Sequence, residues 1–554
     1  MAENIITPLR LWQDFDPMRE KLDVSFVASE SVGEDIVRFG CYFTSEKTHD
    51  GVVRAYATIY FSPHNVQNPT LLFVPDYYAK TIDFSFLRTT IGDGYNIVII
   101  DYTGKEEENN YTHYPPSLSY CNIVESGSHL YKAIPTARDT CLYNWSKVVR
   151  RCITLVEDLE FLNSDIALIG IKEGANMMWQ VGGVDDRVKT LIPVINAGWL
   201  GDTDKIGEDG YELDDERERW IAACTPEVYA QFAHCPVFFL GASNSTITAF
   251  DRVRDTFDLL VGVEHNMVIA SDSANQIQMT GLITLERWMD HVFKGTSFPE
   301  QPVLRYEVRE GKLEIYIESD GTIDLQEIVL NYSYGNTDSE FRFWNKKMLS
   351  VDFSGRSYTT LDVYDGDEVI TVFANVYYKD GSSVSSDSMN IYLEDEEVDT
   401  IKYRNERILF ERKHGVRNFI IENDGFIADK SLLKMEAGPY DIQGITVEDG
   451  FISTYIVGDK RYKGLDGTLL QCDLYSAEAR DVEVILYTMD DETDEKDSYS
   501  ALVHLEGGEM WQKVALVAHD FTNKRHQHLL GWQNIKKLTI KNSAKVLLSN
   551  MVWV

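Results

Sequence analysis

The chain has 554 residues, with 52 basic and 89 acidic side chains and a formal net charge of −37 at pH 7. This length exceeds what one hydrophobic core supports, so several domains are expected. Because the acidic surface repels phosphate groups, and because no apolar run approaches the ~18 residues of a membrane-spanning helix, nucleic-acid and membrane partners are not expected.

Short apolar strands alternate with helices through the first 297 residues. Strands are predicted at 71–75, 97–101, 166–170, 188–196, 235–241 and 266–271, and helices at about 140–160, in DDERERW, in FDRVRDTFDLL and at 281–293. This alternation is typical of a mostly parallel sheet that is covered by helices on both faces. Residues 1–297 are therefore predicted to form an α/β domain.

The pattern changes at about residue 298, after the proline-bearing segment SFPEQP. Residues 298–397 alternate with period two and have frequent turn signals, which predicts an immunoglobulin-like or fibronectin-like β-sandwich. The acidic stretch EDEEVD at 394–399 marks a second junction, and residues 398–554 are again rich in predicted strands. The chain is thus expected to have three domains.

The segment IALIGIKEGANMMWQ, residues 166–180, combines a buried strand, a tight glycine turn and an amphipathic helix. Esterases and lipases place a nucleophilic serine on such a turn, at the centre of Gly-x-Ser-x-Gly. Here the turn is Gly170-Ile171-Lys172-Glu173-Gly174. Lys172 therefore holds the position of the serine.

Residues 1–297 resemble the α/β-hydrolase superfamily, and within it the acetyl xylan esterase-like and dienelactone hydrolase-like branch. The segments that carry the resemblance are LLFVPDYY, GYNIVIIDYTG, WSKVVRRCITLVEDL, DIALIGIKEGANMMWQ, VDDRVKTLIPV and CPVFFLGASNS. The resemblance implies a Ser-Asp-His triad in that chain order.

All three triad positions are replaced. Lys172 stands for the serine. In the turn after strand 235–241, Asn244 and Ser245 are the stand-ins for the acid, and Asn275 holds the histidine position after strand 266–271. His265 precedes its strand and is expected at the opposite edge of the sheet. Acyl transfer needs a nucleophile, a base and a group that orients the base, so the resemblance implies a degenerate triad.

Asp76 and Tyr77 follow strand 71–75, where the resemblance implies a His-Gly pair of the oxyanion hole. A carboxylate there would oppose the negative charge that develops during acyl transfer. We expect Lys172 to be partly exposed and paired with Glu173 or Asp76, so that a salt bridge fills the former catalytic pocket.

Two further residues are candidates for ligand binding. Asp101 ends strand 97–101 at the edge where ligands bind in parallel sheets, although it could equally cap the following turn. His113 lies in the irregular stretch 102–135, which could overhang the pocket, although an exposed loop histidine is the commoner case. The candidate binding residues are Asp76, Tyr77, Asp101, His113 and Glu173.

Residues 398–554 resemble the galactose-binding-like jelly rolls found as carbohydrate-binding modules. The resemblance rests on MWQKVALVAHDF, LLGWQNIKKLTI and the closing strand VLLSNMVWV. It implies the fold more strongly than the ligand, and Trp511, Trp532 and Trp553 are expected to pack inside the sandwich. A structural calcium is common in such modules, but the sequence identifies no ligands for it. No other cofactor or metal is predicted.

The seven cysteines are scattered, odd in number and without CxxC spacing. This usage predicts reduced, mostly buried thiols in a cytoplasmic protein. The N-terminal segment MAENIITPLRLWQDFDPMREKL lacks a basic stretch followed by an apolar core, so no signal peptide is predicted.

Three functional hypotheses follow from these patterns. The first is a catalytically degenerate α/β-hydrolase-like protein that acts as a binding or scaffolding protein for carbohydrate, for another protein or for its own copies. The second is an active carbohydrate esterase with a non-standard site, and the third is a self-assembling structural protein. The triad replacements favour the first hypothesis, and a homo-oligomer is left open.

Overall fold

The structure is a computed structural model. It describes residues 6–32, 36–64, 67–77, 90, 94–105, 110–199, 214–321, 323–335, 338–350, 355–423, 427–428, 432–490, 493 and 495–554.

The N-terminal part of the chain is built on a nine-stranded mixed sheet. Its strands are β1 Ser25–Ser31, β2 Val37–Lys47, β3 Val52–Phe61, β4 Thr70–Val74, β5 Asn96–Asp101, β6 Ile166–Ile171, β7 Val188–Val194, β8 Val237–Ala242 and β9 His265–Ala270. Their order in the sheet is β1-β2-β3-β5-β4-β6-β7-β8-β9. The first three strands run antiparallel, and β5, β4 and β6–β9 are parallel.

Helices cover both faces of this sheet. They are α1 Pro8–Trp12, α2 Cys141–Asp158, α3 Glu173–Gly182, α4 Asp215–Cys224, α5 Pro226–Ala230, α6 Val253–Asp258 and α7 Met279–Lys294. Successive residues of β4 enter different cores, since Leu72 and Val74 lie in one cluster and Leu71 and Phe73 in another. This burial of both faces explains why the parallel strands are continuous apolar runs. No helix within the described ranges is long and apolar enough to cross a bilayer.

The remainder of the chain consists mainly of short strands. They are β10 Ile277–Gln278, β11 Val303–Arg309, β12 Lys312–Glu318, β13 Leu325–Tyr334, β14 Asn345–Leu349, β15 Arg356–Leu361, β16 Val363–Tyr364, β17 Val369–Tyr378, β18 Ser383–Ser385, β19 Met389–Tyr392, β20 Thr400–Ile401, β21 Ile408–Phe410, β22 Ile420–Glu422, β23 Ile427–Ala428, β24 Leu433–Ala437, β25 Gln443–Val447, β26 Phe451–Thr454, β27 Leu470–Tyr475, β28 Arg480–Met489, β29 Lys496–Leu505, β30 Gln512–Leu516, β31 Ile535–Lys541 and β32 Leu547–Trp553.

In the middle part of the chain, the antiparallel sheets β11-β12-β15 and β14-β13-β17-β18 share one buried core. In the C-terminal part, the antiparallel sheets β24-β25-β32-β27-β30 and β22-β26-β31-β28-β29 enclose another. Both arrangements are compatible with sandwich domains. Trp532 and Trp553 are buried in the C-terminal core, as predicted, whereas Trp511 is partly exposed and donates to the Pro439 carbonyl at 3.1 Å.

The predicted fold class is thus confirmed at the level of a mixed sheet with helices on both faces, followed by antiparallel β-sheets. The domain boundaries and the jelly-roll assignment stay predictions. One detail differs: α3, expected to be amphipathic, is buried along its whole length. The reason is tertiary packing, because the sheet covers one side of α3 and the helices α2 and α5 cover the other.

Candidate functional site

The turn between β6 and α3 keeps the backbone geometry of a nucleophile elbow. Lys172 has φ 49° and ψ −113°, a conformation that non-glycine residues rarely adopt, and its amide donates to the Val194 carbonyl at 2.9 Å. A Cβ atom on Gly174 would lie 2.1 Å from the carbonyl oxygen of Val74, and one on Gly170 would lie 2.5 Å from that of Gly174. The two glycines are therefore required by the close approach of helix and strand.

An ion pair occupies the centre of the elbow. The Nζ atom of Lys172 lies 3.8 Å from Oδ2 of Asp76, and the two side chains are 27% and 13% exposed. Asp76 is thus the partner, one of the two that the sequence predicts. The other, Glu173, is buried and accepts a hydrogen bond from Nδ2 of Asn176 at 2.6 Å. The position of the nucleophile therefore holds a cation beside a carboxylate.

Tyrosines and carboxylates surround this ion pair. The pKa of Tyr102 is raised well above its usual value by burial and by the charges of Asp76, Glu173 and Asp101. Its hydroxyl donates to the Pro75 carbonyl at 2.5 Å. The hydroxyl of the buried Tyr77 contacts that of Tyr131, which belongs to the irregular stretch after β5. This stretch therefore contacts the residue that follows Asp76.

Asp101 holds the loop that follows its own strand. Its carboxylate accepts hydrogen bonds from the Thr112 amide at 2.5 Å and from the Thr103 hydroxyl at 3.0 Å. Burial raises the pKa of Asp101, and these hydrogen bonds lower it in part. The geometry matches the turn-capping alternative.

His113 lies in the same loop but faces the antiparallel edge of the sheet. Its amide and carbonyl pair with Arg54 at 2.9 and 3.0 Å, and its exposed ring stacks on Tyr42. In the part of the chain that the structure describes, no histidine contacts Lys172, Ser245 or Asn275. His265 begins β9 and thus lies at the amino edge, as predicted.

The two other triad positions meet each other at the carboxyl ends of β8 and β9. The Ser245 hydroxyl donates to Oδ1 of Asn275 at 3.2 Å, and Nδ2 of Asn275 donates to the Thr246 hydroxyl at 2.8 Å. Ser245 also accepts from the Ile247 and Thr248 amides at 3.0 and 3.2 Å. Both side chains therefore close the loop after β8, and neither is oriented by an acid–base partner.

The loop after β8 also docks onto the middle part of the chain, a contact that the sequence did not predict. Asn244 is fully buried and donates to the carbonyls of Glu340 and Arg342 at 3.3 and 2.8 Å. It accepts from the indole of Trp344 at 3.1 Å. The position that holds the catalytic acid in the resembled family is therefore part of an interface.

Two ion pairs extend this interface. Both guanidinium nitrogens of Arg342, a residue that is 3% exposed, lie 2.5 Å from the carboxylate of Asp251. Lys346 pairs with the buried Asp272, in the loop after β9. No local pattern in FRFWNKK distinguishes these residues from ordinary strand residues, so the sequence carries no signal for them. Within the described ranges, no three His, Cys, Asp or Glu side chains converge as a metal site.

The comparisons with known proteins add structural neighbours for about half of the chain. The chain is similar to acetyl xylan esterase 1 from Thermoanaerobacterium sp. JW/SL YS485, with 12% identity, 52% of this chain and 95% of that chain covered, and a TM-score of 0.41. It is similar to the acetyl xylan esterase from Paenibacillus sp. R4, with 11% identity, coverage of 50% and 91%, and a TM-score of 0.39. It is also similar to the glucuronoyl esterase from Solibacter usitatus, with 10% identity, coverage of 52% and 91%, and a TM-score of 0.36. No family model and no curated protein matches the chain.

Proposed function

We propose that this chain is a catalytically degenerate α/β-hydrolase-like protein that acts as a binding or scaffolding protein. The observation that carries the proposal is the elbow itself: Lys172 has the backbone conformation of a nucleophile, but its Nζ atom lies 3.8 Å from the carboxylate of Asp76. A nucleophile of this kind needs a base that takes its proton, and the side chain that faces Lys172 is a carboxylate held in an ion pair with it.

The surroundings of the elbow support this proposal. An oxyanion hole needs hydrogen-bond donors where negative charge develops, and Asp76 brings a carboxylate to that region. An acyl group transferred to Lys172 would form an amide, which is too stable to turn over. The other two triad positions, Ser245 and Asn275, are bonded to each other and to their own loop.

The interface at the β8 loop favours a scaffolding role over a hidden catalytic one. In a hydrolase this loop must hold an acid that orients the catalytic base. Here Asn244 uses its side chain to bind two carbonyls and an indole of the segment 338–346. The loop thus joins two parts of the chain.

The proposal also covers the class of ligand and the cellular compartment. We assign the C-terminal part to a galactose-binding-like jelly roll and a carbohydrate-related ligand on its sequence resemblance. All seven cysteines are buried and unpaired, which is compatible with a reducing compartment such as the cytoplasm.

Hydrolysis of p-nitrophenyl acetate tests the degenerate elbow. The wild-type protein, Lys172→Ala, Lys172→Ser and the control Lys189→Ala, an exposed lysine of β7, are compared with buffer. We expect no turnover above buffer in any of them, because Lys172→Ser restores a hydroxyl without a base. Wild-type turnover that is lost in Lys172→Ala but kept in Lys189→Ala, or a gain of turnover in Lys172→Ser, would contradict the proposal and favour an active esterase.

A mass measurement in solution tests the scaffolding role for copies of the same chain. Light scattering behind a sizing column, repeated over a range of protein concentrations, distinguishes a monomer from a defined oligomer or an open assembly. A monomer at every concentration would exclude self-assembly and leave binding of other molecules.

A further inference from the structure

A cleft of about 410 Å³ opens where the three parts of the chain meet. The loop after β8 contributes Ser245 and Thr246 to its wall. The middle part contributes the segment 338–341, and the C-terminal part contributes residues from β28, β29 and β31 and from the loops around them. The volume falls in the range of small-molecule sites. Lys172 and Asp76 do not line this cleft, so it is separate from the elbow.

The lining of the cleft includes three carboxylates, from Asp338, Glu340 and Asp497, and three ammonium groups, from Lys496, Lys524 and Lys537, so its formal charges cancel. Lys496 Nζ lies 2.9 Å from Asp338 and 2.7 Å from Glu340. Lys537 Nζ lies 2.5 Å from the carboxylate of Glu422. A charged ligand would have to compete with these pairs, whereas a neutral one leaves them intact.

Tyr455 provides the second observation. It lines the cleft and is only 3% exposed, yet its hydroxyl has no hydrogen-bond partner within the described residues. Unlike the hydroxyl oxygen of Tyr378, that of Tyr455 is not sealed from solvent, so a molecule in the cleft can reach it. Burial and the charges of Glu422 and Glu340 raise the pKa of Tyr455 well above its usual value, so the hydroxyl keeps its proton and can both donate and accept.

The lining also includes aromatic rings and hydroxyl groups. The ammonium of Lys537 lies over the rings of Tyr455 and Tyr487, at 5.4 and 4.9 Å. The ammonium of Lys496 lies 5.3 Å from the ring of Phe341. Hydroxyl groups come from Ser245, Thr246, Ser339 and Ser498, together with the two tyrosines.

We propose that this cleft binds a neutral polyhydroxylated ligand, a mono- or disaccharide, one of whose hydroxyl groups forms a hydrogen bond with the hydroxyl of Tyr455. Sugar hydroxyls suit such a wall because each both donates and accepts, while the C–H faces of a sugar ring pack on aromatic side chains. The inference adds a ligand class to the proposed binding role, but it rests on no property of the elbow.

Saturation-transfer NMR and calorimetry on the full chain test the site. The probes are glucose, galactose, xylose, maltose, cellobiose and lactose, with gluconate and glucosamine as charged analogues. We expect at least one neutral sugar to bind and the charged analogues to bind no more tightly. Tyr455→Phe, which keeps the ring and removes the hydroxyl, should weaken that sugar about three- to tenfold without destabilising the free protein.

Two controls separate this site from others. Tyr440→Phe removes the hydroxyl of an exposed tyrosine elsewhere in the C-terminal part and should leave sugar binding unchanged. Lys172→Ala perturbs the elbow and should also leave it unchanged. Absence of binding by all six sugars, tighter binding of a charged analogue, or loss of binding in Lys172→Ala but not in Tyr455→Phe would overturn the proposal. None of these results depends on the outcome of the ester-hydrolysis assay.

Discussion

Replacement of Lys172 by alanine and by glycine separates two contributions at the elbow, the ion pair and the backbone strain. At the observed 3.8 Å, two unit charges interact by about 4 kcal/mol at an effective dielectric constant of ~20. Because Lys172 is 27% exposed, solvent screening and side-chain entropy reduce the net coupling, for which we expect about 1–2 kcal/mol. The positive φ of Lys172 contributes strain of about 1–3 kcal/mol in any residue with a Cβ atom.

We therefore expect Lys172→Ala to unfold at a lower urea concentration than the wild type, since it loses the ion pair and retains the strain. Lys172→Gly loses both, and the greater chain entropy of glycine in the unfolded state offsets about 0.5–1 kcal/mol of the relief. Lys172→Gly should thus be more stable than Lys172→Ala by about 1 kcal/mol, although both lack the same charge.

The assay is urea unfolding followed by tryptophan fluorescence, with the slope of the transition compared between variants. Asp76→Asn, alone and combined with Lys172→Ala, completes a double-mutant cycle, and Lys189→Ala serves as the exposed-lysine control. A coupling energy below about 0.5 kcal/mol would show that the ion pair is incidental. An alanine variant as stable as the glycine variant would refute the strain argument.

Three further predictions concern the framework of the site. Gly174→Ala should prevent accumulation of folded protein, because its Cβ would lie 2.1 Å from a backbone oxygen of β4. Soluble yield and circular dichroism measure this, and a normally folded variant would contradict the prediction. Arg342→Met should lower the free energy of unfolding by about 3 kcal/mol, because Asp251 loses its buried bidentate partner, and a double variant with Asp251→Asn should recover part of the loss. Burial raises the pKa of Asp185, but the Arg187 guanidinium and a second arginine beside it outweigh burial and hold the pKa below its ordinary value. The ion pairs of Asp185 therefore stabilise the folded protein above about pH 4, and this stabilisation is lost as the pH falls below that value. Asp185→Asn should thus make the melting temperature depend less on pH in the acidic range. A dependence equal to that of the wild type would show that this carboxylate is not its cause.

The elements of the α/β part could be predicted because they depend on short-range patterns. The strand predicted at 166–170 is observed at Ile166–Ile171, and the helix predicted at about 140–160 is observed at Cys141–Asp158. The elbow was also predictable, since the glycine spacing on either side of Lys172 reflects steric contacts between adjacent elements. An ion pair at the elbow was also predicted, with Glu173 or Asp76 as the partner, and the pairing of β4 with β6 brings Asp76 to Lys172.

The role of the loop after β8 could not be predicted in the same way. Asn244 was recognised only as a residue that is not an acid, whereas its carbonyl partner Arg342 lies 98 residues away in the chain. Asp251 lies in a short 3-10 turn, Phe250–Arg252, just before α6. The ion pair that Asp251 makes with Arg342 fixes the loop against the middle part of the chain.

The sequence by itself determined the α/β pattern, the glycine turn at 170–174 and the charge of the group at its centre. These properties depend on residue type and on contacts between neighbouring elements, which local spacing encodes. Only the tertiary structure decided which carboxylate faces Lys172, that the loop after β8 forms an interface with the middle part of the chain, and that a cleft with the buried Tyr455 lies between the three parts of the chain. Such contacts join residues far apart in sequence, and their partners depend on how whole sheets pack, so no local pattern specifies them.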